Sequence, residues 1–125
     1  MNVHEDVELT FSPVYSNGML KLTPVVTYIG EDPAIFTYEG SIARVESVKS
    51  DEDVLYEYKE GEQLLSEVRS TLEKDDERYG NTIELEVEPG MYHVYVIAEY
   101  WLQYDEEGKK ERYYHTLKQT IEVKK

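Results

Sequence analysis

Two stretches near the C-terminal end decide the fold: MYHVYVIAEYWL, residues 91–102, and RYYHTLKQTIEV, residues 112–123. In both, apolar or aromatic side chains alternate with polar ones, which is the period of a β-strand. The segment DEEGKK at residues 105–110 between them is polar and turn-forming. Two β-rich runs joined by such a segment predict an antiparallel hairpin.

The position of the turn also predicts the register of this hairpin. A turn centred near Glu106 and Glu107 makes one face mainly apolar, and we expect that face to contact the core. The opposite pairs on it are Tyr100 with Tyr113, Ala98 with His115, Val96 with Leu117, Val94 with Gln119, and Tyr92 with Ile121. We expect water to reach the other face, which carries His93, Tyr95, Ile97, Glu99 and Trp101 beside Arg112, Tyr114, Thr116, Lys118 and Thr120.

The same alternation recurs upstream. Val7, Leu9 and Phe11 predict a first strand that ends at Ser12 and Pro13, and Pro24 indicates an edge or a bulge in the second strand, residues 19–29. Further strands are predicted over residues 34–38, 41–48, 54–58 and 83–87. Residues 62–74 fit a helix or a strand, and the lack of well-placed helix caps favours strand or irregular structure by a small margin.

These elements predict an all-β fold. About seven to nine strands in 125 residues are typical of an immunoglobulin-like antiparallel β-sandwich, formed by residues 1–125 as one domain. A closed barrel fits the alternation as well.

The charge of the chain argues against several partners. Its 27 acidic and 13 basic residues give a net charge of -14, which repels nucleic acid and anionic membrane surfaces. The acid is concentrated in residues 51–90, with 14 acidic and 4 basic residues, whereas residues 105–125 hold 5 acidic and 6 basic ones. The sequence contains no run of about 20 apolar residues, so we expect no membrane insertion. The first residues have no export-signal pattern, which leaves cytoplasmic, cell-surface and secreted locations open.

Residues that could carry catalysis or bind a cofactor or metal form no familiar motif. Cys is absent, and the hairpin register places His93 and His115 on opposite faces, roughly 16 Å apart. The acidic turns at residues 51–53 and 75–77 lack the spacing of a calcium loop, so we expect at most weak calcium binding there. We therefore expect a protein that is not an enzyme and has no cofactor.

Tyrosine is the most unusual feature of the composition, with 12 residues. Tyr suits half-buried positions in sheets, and it also suits protein interfaces. On the wet face of the hairpin we expect Tyr95, Ile97, Trp101 and Tyr114 to form a protein-binding strip, with another protein or a second copy as partner.

Two segments resemble known sandwich domains. Residues 87–96, VEPGMYHVYV, resemble the Pro-Gly-x-Tyr strand entrance of bacterial immunoglobulin-like and fibronectin-like domains, and Tyr92 is placed to return its hydroxyl to nearby backbone as in a tyrosine corner. Residues 26–41, VTYIGEDPAIFTYEGS, resemble the strand, turn and strand of the bacterial intracellular proteinase inhibitor family. The resemblance implies an immunoglobulin-like sandwich and, by analogy, an inhibitor-like role, with no inhibitory residue carried over.

The sequence thus favours a non-catalytic protein-binding β-sandwich. The main alternative is an acidic antagonist, whose carboxylates block a basic target protein. Carbohydrate binding by Trp101 and the exposed tyrosines is a third, weaker hypothesis.

Overall fold

The computed structural model describes residues 3–59 and 66–124, and every helix or strand element among them is a β-strand. The all-β prediction is confirmed. The ten strands are β1 (Val7–Ser16), β2 (Met19–Tyr28), β3 (Ala34–Glu39), β4 (Ala43–Lys49), β5 (Val54–Glu57), β6 (Glu67–Leu72), β7 (Glu77–Tyr79), β8 (Ile83–Glu86), β9 (Gly90–Gln103) and β10 (Glu111–Val123). The sequence predicts about seven to nine, and the strand it misses is β7, because three residues are too few to show a periodicity.

The strands form two antiparallel sheets. In the smaller sheet β2 lies in the middle, with β1 on one side and β7 and β8 end to end on the other. In the larger sheet β9 lies in the middle, with β10 along one edge and β4 and β3 end to end along the other. β5 and β6 extend this sheet beyond β4 and β3.

The first hairpin continues further than its sequence predicts. β1 passes through Pro13 and ends at Ser16, because β1 is an edge strand, where a residue without an N–H group is tolerated. The turn then takes two residues, Asn17 with φ 53° and Gly18 with φ 79°. Positive φ at both positions is the requirement of a type I′ hairpin turn, which Asn-Gly meets.

Pro24 does not mark an edge strand. It lies in the middle strand β2, so that part of the prediction is wrong. The pairing of β2 explains why proline fits: β8 covers Met19 to Leu22, and β7 covers Val25 to Thr27. Pro24 falls in the gap between β8 and β7. Neither of these strands pairs with Pro24, so the N–H group that proline lacks is not needed for a hydrogen bond to them.

The predicted register of the last hairpin is confirmed at all five pairs on the core-facing side. β9 and β10 pair from Glu111 with Leu102 to Val123 with Gly90, without a register shift. Val94, Val96, Ala98 and Tyr100 on that face are buried.

The core lies between the two sheets as two neighbouring clusters. One cluster is centred on Tyr28, Phe36 and Tyr100 and the other on Leu22, Val48 and Val96. Residues of β2, β4 and β9 contribute to both. Because each cluster draws on both sheets, burial of apolar area at roughly 25 cal/mol per Å² holds the layers together.

Two strand tyrosines donate hydrogen bonds from their hydroxyls to backbone carbonyls of adjacent turns. Tyr92 donates to the carbonyl of Glu88 at 2.5 Å, which confirms the hydrogen bond expected for a tyrosine corner. Tyr28 makes the same contact in the other direction along the chain, to the carbonyl of Asp32 at 2.5 Å.

Two further sequence predictions fall partly on described residues. Within residues 62–74, β6 occupies Glu67–Leu72, as the preference for a strand indicated, and residues 62–65 lie outside the described residues. Over residues 3–59 and 66–124, no helix has the length and apolar character needed to cross a membrane.

The two sheets approach each other closely at Gly80, in the link between β7 and β8. Its N–H donates to the carbonyl of Pro24 at 2.9 Å. A Cβ atom at this position would run into the backbone carbonyl of Ala43 in the opposite sheet.

We therefore predict that Gly80→Ala lowers the free energy of unfolding by about 1–3 kcal/mol, because the backbone must shift to admit the methyl group. Urea denaturation measures this. The matched control is Gly90→Ala, where the nearest atom is 3.9 Å from the added Cβ and the change should stay within about 0.5 kcal/mol. Equal effects of the two substitutions would contradict the close approach at Gly80.

Candidate protein interface

The larger sheet has one face against the core and one face that points away from the smaller sheet, which we call the outer face. The strand registers arrange its side chains in rows. Four neighbouring rows are Thr37, Trp101 and Arg112; Glu99 and Tyr114; Arg44, Ile97 and Thr116; and Ser47, Tyr95 and Lys118. The predicted strip residues therefore lie on neighbouring rows of one face.

Trp101 is the most prominent side chain of this face. It is 41% exposed, although Trp is usually well buried. Lys110 and Arg112 each hold a cationic group 5.9 Å from the centre of its ring. The indole thus offers apolar area and is flanked by positive charge.

Tyr95 and Tyr114 are half-buried. The ammonium of Lys118 lies 5.0 Å from the ring centre of Tyr95. Burial raises the pKa of Tyr114, and the neighbouring Tyr95 raises it further. The Tyr114 ring therefore stays neutral over the physiological range and keeps its hydroxyl as a hydrogen-bond donor.

Ile97 is not part of an exposed surface. It is only 4% exposed, so the expectation that it contributes an accessible contact is wrong. Its row neighbour Arg44 carries a long side chain that is held over the sheet by Glu46 at 2.8 Å and Glu99 at 3.3 Å. Long neighbours of this kind cover a shorter aliphatic side chain with their methylene groups.

Charged side chains link the rows into a network. Glu99 accepts from Arg44 at 3.3 Å and from Arg112 at 3.1 Å, and the Arg44 guanidinium lies 4.8 Å from the ring centre of Tyr58. Such links restrict the rotamers of these long side chains.

A cluster of tyrosine and histidine at the β1 side of β10 is absent from the sequence prediction. His4 Nε2 lies 3.1 Å from the Tyr104 hydroxyl, and its ring packs edge-on against Tyr113 at 4.8 Å. Tyr100 stacks on Tyr113 at 5.7 Å and on His115 at 5.5 Å. No local signal could reveal this cluster, because His4 is 100 residues from Tyr104 in the sequence.

The titration of this cluster is set by burial. The Tyr100 hydroxyl lies 2.7 Å from His115 Nε2, within the core. Burial raises the pKa of Tyr100 far above its usual range and raises that of Tyr113 to about 12, helped by Glu111. Burial lowers the pKa of His115, and nearby His4 lowers it further.

A groove runs between the N-terminal segment with β1 and the neighbouring edge of β10. Its volume is about 440 Å³, and it is lined by Val3, Leu9, Tyr114, His115 and Thr116. The groove lies beside Tyr114 of the predicted strip and is separate from Trp101.

The carboxylates predicted as weak calcium ligands have other partners. A carboxylate oxygen of Asp51 lies 2.9 Å from His93 Nε2, and a carboxylate oxygen of Asp76 accepts a hydrogen bond from the backbone N–H of Glu73 at 2.8 Å. Within residues 3–59 and 66–124, no group of three or more His, Asp or Glu side chains is placed to hold a metal ion.

Comparison with known proteins identifies no relative: no protein-family model matches the chain, and no curated protein matches it.

We predict that His115 makes stability depend on pH. Its pKa is lower in the folded protein than its usual value near 6.5, so the unfolded chain binds the proton more readily. The contribution is complete above about pH 6.5 and is lost as the pH falls toward the folded-state pKa. Urea unfolding between pH 7.5 and pH 5 should show a declining free energy.

The matched variant is His115→Gln, which keeps a hydrogen-bond acceptor for Tyr100 but does not titrate. Its free energy of unfolding should fall less over this range. The same slope in both proteins would show that His115 does not cause the pH dependence.

Proposed function

We propose that this chain is a non-catalytic protein-binding module with an immunoglobulin-like arrangement of its two sheets. Its contact surface is the aromatic strip, which we define as Tyr95, Trp101 and Tyr114. The observation that supports the proposal most is the half-exposed indole of Trp101 with two cations, Lys110 and Arg112, near its ring. Trp, Tyr and Arg are the residues that most often dominate the binding energy of protein interfaces.

The chemistry of the strip supports binding and not catalysis. Its rings offer flat apolar area, hydroxyl donors and neighbouring cations. Burial and neighbouring groups keep Tyr114 protonated near neutral pH, which makes it unsuitable as a base or a nucleophile. An inhibitor-like role is one form of this proposal, with a proteinase as the bound protein.

We expect Trp101→Ala to weaken binding of a protein partner by at least about tenfold, because loss of an interface Trp commonly costs 2 kcal/mol or more. The full chain, immobilised, is used to enrich proteins from the source lysate, and the enriched protein is then titrated in purified form. Trp101 is the only Trp, so its fluorescence reports the same event: binding should shift its emission to shorter wavelength.

Tyr79→Ala provides the control. Tyr79 is 63% exposed and lies in β7 of the smaller sheet, away from the outer face. The Tyr79→Ala variant should bind the partner with the same affinity as the unchanged protein. Equal affinity of the unchanged protein and Trp101→Ala would overturn the aromatic strip as the interface.

The alternative, an antagonist of a basic protein, is supported by the surface around Tyr79. Strands β1, β7 and β8 of the smaller sheet carry exposed carboxylates. One of them, Glu84, forms an ion pair with Lys21 at 3.4 Å. The exposed members are Glu8, Glu77, Glu84 and Glu86. In this case binding would weaken steeply with salt and would be reduced by Tyr79→Ala, while Trp101→Ala would bind normally.

A further inference from the structure

β10 is a long edge strand whose second edge pairs with no strand among residues 3–59 and 66–124, and Val3 and Leu9 line a groove beside this edge at Tyr114, His115 and Thr116. It pairs with β9 through thirteen consecutive residue pairs, from Glu111 to Val123. In the part of the chain that the structure describes, no strand pairs with its other edge, and no backbone hydrogen bond reaches it from an element other than β9. An open row of N–H and C=O groups is a template for one more strand.

The other edges of both sheets carry the features that prevent such pairing. β5, β6, β7 and β8 have three to six residues each, and β1 contains Pro13. β10 has thirteen residues, no Pro or Gly and no register shift. Natural sheets usually shorten, bend or interrupt an edge that must stay unpaired, and β10 lacks these devices.

The charge of β10 also sets it apart. The chain carries a net charge of -14, which makes two copies repel each other. β10 contains two acidic residues, Glu111 and Glu122, and two basic residues, Arg112 and Lys118. It is therefore a neutral contact surface on an acidic protein.

A particular register makes this strand complementary to itself. When two antiparallel β10 strands face each other about a twofold axis at Leu117, Arg112 lies opposite Glu122 of the second copy, and Thr116 lies opposite Lys118 of the second copy. An axis at Lys118 would instead bring the two Lys118 side chains together, which is unfavourable. With the axis at Leu117, Tyr113 lies opposite Ile121 of the second copy on the core-facing side.

We propose that the protein forms a twofold dimer by antiparallel pairing of β10 with β10, with Leu117 at the axis. The two larger sheets then join into one continuous sheet. Trp101 lies on β9, so the pairing leaves it free, and both aromatic strips face the same side. The dimer goes beyond the proposed function. The two surfaces share Tyr114, which lies on β10, whereas Trp101 lies on β9 and outside the dimer contact.

The test is the dimer dissociation constant of full-length variants, measured by sedimentation. Thr116 is exposed in one copy, so it can be replaced without disturbing the core. Thr116→Lys places a lysine opposite Lys118 of the second copy at two symmetry-related positions in the dimer, so each pair is repulsive. Thr116→Glu places a glutamate opposite Lys118 at the same two positions, so each pair is attractive. We expect the two dissociation constants to differ by at least about tenfold, with Thr116→Lys the weaker. Combining Thr116→Lys with Lys118→Glu should restore dimerisation.

A chain that sediments at its monomer mass of 14.7 kDa up to about 1 mM would overturn the proposal. So would a dimer whose dissociation constant is the same for Thr116→Lys and Thr116→Glu, because association would then use another surface. Trp101→Ala should dimerise normally. If it loses its protein partner but still dimerises, Trp101 acts in partner binding and not in dimerisation, and the failure of one proposal can be distinguished from the failure of the other.

Discussion

The structure depends on the double pairing of β9. This fourteen-residue strand hydrogen-bonds to β10 along one edge and to β4 and β3 along the other. Its core-facing side chains enter both hydrophobic clusters, with Val94 and Val96 in one and Ala98 and Tyr100 in the other. A strand that is satisfied on both edges and buried on one face has little freedom to shift, because a slip by one residue would move its whole apolar set to the outer face.

The same constraint gives the outer face its character. Alternation forces the odd-numbered residues of β9 away from the core, which brings Tyr95, Ile97 and Trp101 to the outer face. These residues differ in accessibility, with Ile97 4% and Trp101 41% exposed. Arg44 and its two glutamates extend beside Ile97, whereas the cations next to Trp101 leave its ring half-exposed.

Much of the larger sheet could be predicted from the sequence, and the reasons are local. The hairpin register follows from a polar turn between two alternating runs, and the Tyr92 hydrogen bond follows from the Pro-Gly turn before it. The features that escaped prediction depend on distant parts of the chain. β7 has too few residues for a pattern, Pro24 is tolerated because two neighbours meet there, and Ile97 is buried on the outer face, where it pairs with Arg44 of β4. The sequence thus predicts the face on which Tyr95, Ile97, Trp101 and Tyr114 lie, but it does not reveal that Ile97 is buried there.

The central role of β9 is tested most directly by native-state hydrogen exchange. We expect the amides of Val94, Val96 and Ala98 to exchange only when the whole protein unfolds, so their exchange free energies should equal the global free energy of unfolding from denaturant titration. Amides of the short strands β5 and β7 should exchange through local openings of lower free energy. Exchange of the β9 amides at a free energy below that of β2 would contradict the claim that the rest of the fold is built on β9.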